Sequence, residues 1–277
     1  MLLNNNVIKK NAAILHKRAD DQLFDQSPFQ CRVEWGQRGA REAAQRGDIT
    51  IIVDVLSFSS TVVTAVHYGA AVVPFPPIRD AAIEYAKQIG ARFVWGRAEA
   101  EKFGGHSLSP LTFSPEDRGQ TFVLCSLNGA TCARAASKVP ALLVGCFLNA
   151  SAVADVANAL QAKTGADITV IPCGEKWSSV LENENDLRPG IEDYLGAGLI
   201  LSMLKGSKSP EVRVCIGAYE HAKTSIRELI WDSGSGRELR ERGYGRDVEY
   251  CAQIDVCRAV PVLHRERFVN ATEIPNF

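Results

Sequence analysis

Four segments repeat one order of apolar and polar positions: a short apolar run, a few small polar residues, then the start of a helix. They are IIVDVLSFSS at 51–60, FVLCSLNGAT at 122–131, LLVGCFLNAS at 142–151 and ITVIPCGEKW at 168–177. The run 48–56 is almost unbroken Ile and Val, the pattern of a strand covered on both faces. A helix follows through Val62, Val63 and Val66, with Ser59 or Ser60 at its start and Gly69 at its end. Residues 71–75 read as a strand stopped by Pro76 and Pro77, 78–89 as an amphipathic helix closed by Gly90, and 92–95 as a short strand. Strand 121–125, helix 130–137, strand 141–146, helix 151–163 and strand 167–172 continue the alternation. This order predicts an α/β fold, a three-layer α/β/α sandwich on a mostly parallel or mixed sheet. The strand ends then share one edge, where α/β sheets bind ligands. Small polar residues opening helices offer free N–H groups there, which suit an anion such as phosphate.

Residues 96–115 have no clear period and contain GGHSLSP, a loop length that is often functional in a compact domain. After Pro172 the texture changes. Residues 173–189 are polar and irregular, while 191–204 (IEDYLGAGLILSML) are apolar nearly all round and predict a buried helix. Gly196 and Gly198 would let that helix approach a neighbour closely. Helical segments follow around 211–230 and 237–242, with a last strand at 259–263. No Pro/Ser-rich linker interrupts the chain. The expectation is one domain over 31–277 behind an N-terminal extension at 1–30. The extension lacks a continuous apolar stretch and a small-residue cleavage site, so it does not read as a signal peptide.

Composition removes several function classes. The 277 residues carry a net charge of −1, which gives no electrostatic case for nucleic acid or an anionic membrane surface. No run reaches the roughly 18 apolar residues of a membrane span. The eight cysteines form no C-x-x-C pair and lie mostly in apolar runs, as expected for reduced core thiols in a cytoplasmic protein.

The candidate chemistry gathers at the strand ends. Asp54 is the only charge in IIVDVLSF. It is either a functional carboxylate facing the crevice or a cap for the next loop, because an unpaired buried carboxylate is costly. Ser57, Ser59, Ser60 and Thr61 surround the next helix start and could bind a phosphate or simply cap; no Walker spacing is present. Asn128, followed by Gly129, and Asn149 occupy equivalent turns, again as ligand contacts or structural caps. Glu192 and Asp193 open the buried helix, where the macrodipole favours acids. With Asp54 they would suit Mg²⁺, a hard cation that keeps several waters. Arg188 could clamp a phosphate or carboxylate, or be a solvated loop charge, as could Glu175 and Lys176. His106 could donate a proton or lie idle on the surface. Cys125 and Cys173 stand at strand ends without basic neighbours to favour thiolate.

Taken in order, VEWGQRGA (33–40), VDVLSFSSTVVTAV (53–66), SLSP (107–110), SLNGAT (126–131), VGCFLNASAVA (144–154), IPCGEKW (171–177), RPGIEDYLGAGLI (188–200), SGRELRERGYGRDVEY (235–250) and AVPVL (259–263) resemble the 2-phosphosulfolactate phosphatase family. The resemblance covers nearly all of the chain after about residue 30. It implies an α/β/α sandwich and a Mg²⁺-dependent phosphatase of coenzyme M biosynthesis. It also places Asp54, Asn128, Asn149, Glu192 and Asp193 at the family's motif positions. Two departures stand out: the family's usual Arg after Asp-Val-Leu is Ser57, and its usual Gly-Glu-Arg reads Gly96-Arg97-Ala98. Arg97 or Arg188 would then supply the missing cation.

The resulting expectation is hydrolysis of a phosphate monoester of a small 2-hydroxy acid, 2-phospho-3-sulfolactate being the named candidate. Asp54, Glu192 and Asp193 are the expected catalytic and metal-holding residues. Ser57, Ser59, Ser60, Thr61, Asn128, Gly129, Asn149 and Arg188 are expected to bind the substrate. The attacking group is a metal-bound water or Asp54 itself. The alternative is a catalytically inactive relative that binds a small anion as a sensor or assembly subunit; a mutase or lyase on the same scaffold is a third. The expected partner is the small phosphorylated acid, with no nucleic acid and no membrane, and a homodimer is compatible with the pattern.

Overall fold

The computed structural model describes residues 24–275 and 277, so most of the expected N-terminal extension lies outside the described residues. The chain forms an α/β/α sandwich on a nine-stranded mixed sheet of order β1-β7-β2-β6-β10-β11-β3-β5-β4. One half holds β1 (Cys31–Val33), β7 (Ile168–Pro172), β2 (Ile49–Val53) and β6 (Leu142–Val144), all parallel. The other holds β3 (Ala71–Phe75), β5 (Thr121–Cys125) and β4 (Arg92–Val94), also parallel. Between them lies the hairpin of β10 (Pro261–His264) and β11 (Arg267–Asn270), antiparallel to β6 on one side and β3 on the other.

Every residue of β2 is buried, as its unbroken Ile/Val run requires of a central strand covered on both faces. Each fully buried Ile or Val there contributes roughly 1.5–3 kcal/mol. On one face, α1 (Gly36–Arg46) packs on β2 and β7 and meets α5 (Gly129–Ala135). The other is covered by α6 (Ala150–Thr164) and α7 (Ile191–Met203), with α8 (Pro210–Ala222) lying against α7 and β1. Gly198 makes the α7–α8 approach possible: a Cβ there would stand 2.5 Å from the Cys215 carbonyl oxygen. The helix α2 (Phe58–His67) follows β2, and α3 (Arg79–Gln88) follows β3.

Residues 96–115 are not the structureless loop their sequence suggests. They hold α4 (Arg97–Phe103) and a 3-10 turn at Pro110–Thr112. No side chain of α4 is buried, so it carries no apolar stripe for a periodicity reading to find. The tail after α8 folds into α9 (Ile226–Asp232), α10 (Gly234–Glu241) and α11 (Gly245–Cys251). A two-stranded hairpin of β8 (Glu175–Lys176) and β9 (Leu187–Arg188) stands beyond β7. All eight cysteines are free thiols, seven of them buried and Cys125 half-buried. Among the described residues no helix is long and apolar enough to cross a membrane.

Candidate active site

Asp54 follows the last residue of β2 and turns into the crevice at the carboxyl ends of the strands. Its Oδ1 accepts the Phe58 amide at 3.2 Å and its Oδ2 accepts the Gly129 amide at 2.9 Å. Gly129 belongs to the turn after β5, so this one carboxylate ties the two halves of the sheet together. Only glycine fits there, because a Cβ on residue 129 would lie 2.2 Å from the Phe58 ring. Burial pushes Asp54 up to about 6; the two amides and Arg97 oppose that rise, and Glu192 adds to it.

Asp193 comes to the same edge from the first turn of α7. Its Oδ1 accepts the Val55 amide at 2.7 Å and its Oδ2 the Gly174 amide at 2.9 Å. Its carboxyl is held well above the usual range by burial first, then by the negative charges of Asp54 and Glu192. Glu192 is buried beside it, 2% exposed. The fourth acid is Glu175 on β8, which accepts a hydrogen bond from Asn128 Nδ2 at 2.8 Å. Burial and the charges of Asp54 and Glu192 push Glu175 up to about 7.

The contrast with the other end of β2 is informative. There the buried Asp48 is neutralised by Arg32 and Arg46, each at 2.8 Å. At the carboxyl end, burial and neighbouring carboxylates raise the pKa of Asp54, Glu175 and Asp193, opposed by Arg97 at Asp54 and by Arg188 at Glu175. Uncompensated charge of this kind marks a functional site more often than a structural one.

Arg97 is the principal cation of the cleft. It lies at the start of α4, with Nη2 donating to Ser57 Oγ at 2.6 Å and Nε to Asp247 Oδ2 at 2.8 Å. Asp247 Oδ1 accepts in turn from Ser109 Oγ at 2.8 Å. The segments SLSP and GYGRDVEY thus fix the guanidinium from behind. Arg97 therefore brings positive charge to the side chain of Ser57, the position where the resemblance leads one to expect arginine.

These groups open on one cleft of about 380 Å³, lined by Asp54, Ser57, Arg97, Asn128, Glu175 and Ser235, among others. Leu127 and Asn128 also line a second cleft of about 280 Å³, with Trp35, Arg38 and Arg41, which Asp54 does not reach. Of the residues expected from sequence, Asp54, Ser57 and Asn128 face the first cleft. Glu192 and Asp193 stand behind Asp54, and Gly129 serves its carboxylate. Arg188 sits on β9, near enough to Glu175 to lower its pKa.

Other expected residues have different work. Asn149 lines neither cleft. Its Oδ1 accepts the Cys146 amide, and its Nδ2 donates to the carbonyls of Val144 and Ala259. It therefore closes the β6 turn onto the chain entering β10 and has no donor left for a phosphate. Ser59 Oγ donates to Ile52 O and accepts the Asp54 amide, and Ser60 Oγ donates to Val55 O. Thr61 is wholly buried with them. The Ser59 and Ser60 hydroxyls are thus spent inside the fold rather than offered to a phosphate, while the buried Thr61 Oγ1 has no hydrogen-bond partner among the described residues. His106 is bonded to Asp117 at 3.0 Å and packed on Phe113 and Phe122, away from the cleft. Burial pushes the Cys125 thiol up to about 11, which disfavours a thiolate nucleophile.

Sequence reasoning passed over Asp247 and Ser235. Asp247 was visible only as one acid in a charged run; its use depends on Arg97, 150 positions away. Among the described residues no group of three His, Cys, Asp or Glu side chains is arranged to hold a metal ion directly. Mg²⁺ makes a smaller demand, since it commonly keeps several waters and takes one or two carboxylates. Asp54 and Glu175, both open to the cleft and both short of positive charge, suit an ion bound in that way.

Comparison with known proteins bears on the same residues. A family model described as 2-phosphosulpholactate phosphatase matches residues 37–266. A probable 2-phosphosulfolactate phosphatase of Carboxydothermus hydrogenoformans is 31% identical over 219 residues, covering 77% of this chain and 85% of the relative. One from Pseudothermotoga lettingae is 28% identical, over 82% of this chain and 95% of the relative. The 2-phosphosulfolactate phosphatase of Methanothermobacter thermautotrophicus is 28% identical, over 84% and 94%.

Proposed function

This chain belongs to the 2-phosphosulfolactate phosphatase family, and we propose that its sheet-edge cleft hydrolyses a phosphate monoester of a small 2-hydroxy acid, 2-phospho-3-sulfolactate first among them. The products are 3-sulfolactate and inorganic phosphate. The observation that carries this reading is the convergence on one cleft of Asp54, the Asn128–Glu175 pair and the Arg97–Ser57 pair, drawn from four separate strand ends and loops.

We also propose Mg²⁺ as the cofactor, held by Asp54 and Glu175, with Glu192 and Asp193 adding negative charge behind them, directly or through water. When bound it would neutralise charge on the phosphoryl oxygens. The chain's own groups do the rest. Asp54, gripped on both oxygens by backbone amides, is a fixed charge and a poor nucleophile, which favours water as the attacking group. Water attacks phosphorus, the bond from phosphorus to the C2 oxygen breaks, and the departing alkoxide needs a proton. The proton that the attacking water gives up balances the departing alkoxide, so no side chain of the metal-holding pair has to carry it. Arg97 and Asn128 are placed to fix anionic oxygens of the substrate.

The alternative of an inactive anion-binding relative rests on Ser57 and on the missing carboxylate at Arg97. Arg97 answers the first point by placing its guanidinium on Ser57. The deciding measurement is phosphate release from 2-phospho-3-sulfolactate and 2-phospholactate, with Mg²⁺ and after chelation. Release from at least one ester, lost on chelation and restored by Mg²⁺, is expected. Folded protein that releases phosphate from neither ester overturns the reading; release that survives chelation overturns the cofactor.

A further inference from the structure

One wall of the cleft is the start of α10, which contributes Ser235, Glu238 and Leu239. Ser235 is 5% exposed, and its Oγ has no hydrogen-bond partner among the described residues. An unsatisfied buried hydroxyl is costly, so the missing partner calls for an explanation. The backbone around it is in the same condition. Ser233 Oγ accepts the Gly236 amide at 3.0 Å, and the Ser233 carbonyl accepts the Arg237 amide at 2.9 Å. Among the described residues nothing accepts the amides of Gly234 and Ser235. A helix start carries about half a positive charge, so these amides and the hydroxyl together suit an anion.

A cation stands beside them. A Cβ on Gly234 would lie 3.2 Å from Arg188 Nη1, so the guanidinium closes over the first residue of α10. Arg188 forms no ion pair among the described residues; its guanidinium also lies 5.7 Å from the centre of the Trp177 ring. The nearest acid on the helix, Glu238, faces the cleft one turn later and is paired with Arg242 at 3.1 Å.

We infer that Ser235 Oγ, the amides of Gly234 and Ser235, and the Arg188 guanidinium form a second anion subsite at the α10 wall of the cleft, adjoining the phosphoryl end at Asp54 and Glu175. It takes the strong-acid group, sulfonate or carboxylate, that a substrate carries beside its phosphate ester. The inference rests on the reading of the cleft as a phosphatase site and adds the part that selects the substrate. The two ends differ in charge: four carboxylates repel a bare anion at one, and a helix start with an arginine beside it attracts it at the other. A phosphate ester without a second acid group leaves the α10 subsite empty and loses that attraction.

The test is calorimetric binding of 3-sulfolactate, isethionate, lactate and inorganic phosphate to wild type, Ser235→Ala and Arg188→Gln. Both variants should bind 3-sulfolactate about tenfold more weakly, and Ser235→Ala should keep its inorganic phosphate affinity within twofold of wild type. Sensitivity of isethionate to the substitutions assigns the sulfonate to the subsite, and sensitivity of lactate assigns the carboxylate. Should Ser235→Ala fail to fold, Ser235→Gly takes its place. The inference is overturned if wild type does not bind 3-sulfolactate, if the variants bind it as wild type does, or if the phosphate affinity of the Ser235 variant falls in step. Wild type that binds 3-sulfolactate in this Ser235-dependent way yet hydrolyses no ester overturns the phosphatase reading and leaves the subsite standing.

Discussion

The guanidinium of Arg97 and the hydroxyl of Ser57 meet at 2.6 Å, although 40 positions separate them in sequence. Asp247 and Ser109 hold the arginine from the other side. Removing Arg97 should therefore have two separable effects. Arg97→Met leaves Asp247 buried and unpaired, which costs about 3–5 kcal/mol of stability in urea unfolding, and it raises KM for the ester. Adding Asp247→Asn should restore much of the stability and none of the KM. A double variant that regains wild-type KM would show that Arg97 acts only as scaffold.

The crowded carboxylates predict how stability varies with pH. Asp54 and Glu175 sit at about 6 and about 7 in the folded chain, above their ordinary 3.8 and 4.5. The folded state thus binds their protons more tightly than the unfolded state does. Their contribution is fully present below about pH 4 and is lost as pH rises through 6 and 7, up to roughly 3 kcal/mol for each. Metal-free protein should show Tm falling from pH 4.5 to 7.5, and Glu175→Gln should flatten the upper part of that fall. Mg²⁺ should raise Tm more at pH 7.5 than at pH 5, since it competes with protons for the same oxygens. Equal Mg²⁺ effects at both values would argue against these carboxylates as its site.

Asn149 gives a contrasting expectation. Its three shortest side-chain hydrogen bonds go to backbone groups, so Asn149→Ala leaves buried polar groups unpaired at about 1–3 kcal/mol apiece. Tm should drop by several degrees while KM for the ester stays within twofold. A large KM change with little loss of Tm would return Asn149 to the substrate.

Gly129→Ala tests the contact that joins the two halves of the sheet. The added methyl would overlap the Phe58 ring, which must move, and the amide that grips Asp54 must move with it. Overpacking of this kind costs about 1–3 kcal/mol. Activity should fall by more than that stability loss explains, as read from kcat at a temperature where the variant is still folded. Unchanged kcat would mean that the Gly129 amide is dispensable for Asp54.

How far the sequence could be read depended on what each element buries. The runs at β2, β3, β5 and β7 were legible because their apolar residues are buried in the sheet. The helix α1 buries only Gly36, Gly39, Ala40 and Ala43, so no large side chain signals its period. The strand β1 is three residues with an arginine in the middle, and Arg32 makes sense only once Asp48 and Asp167 are seen beside it. Asp54 stood out as a lone charge in an apolar strand, and Asp193 bonds the amide of the next residue, Val55. Asn128 and Asn149 looked alike in their turns, yet one faces the cleft and the other meets the carbonyl of Ala259. That difference depends on where the returning chain passes, which local pattern does not encode.

The hairpin at 261–270 separates two sets of parallel strands. Asp54 and Glu175 come from one set, while Arg97 and Asn128 come from the other. On the ribosome, then, every group that lines the pocket is made well before the wedge that brings both sets into register. Chains stopped just short of the hairpin would hold all of the chemistry and none of its alignment. A nonsense codon near 260 would silence catalysis as surely as loss of Asp54, with every one of those four side chains still encoded.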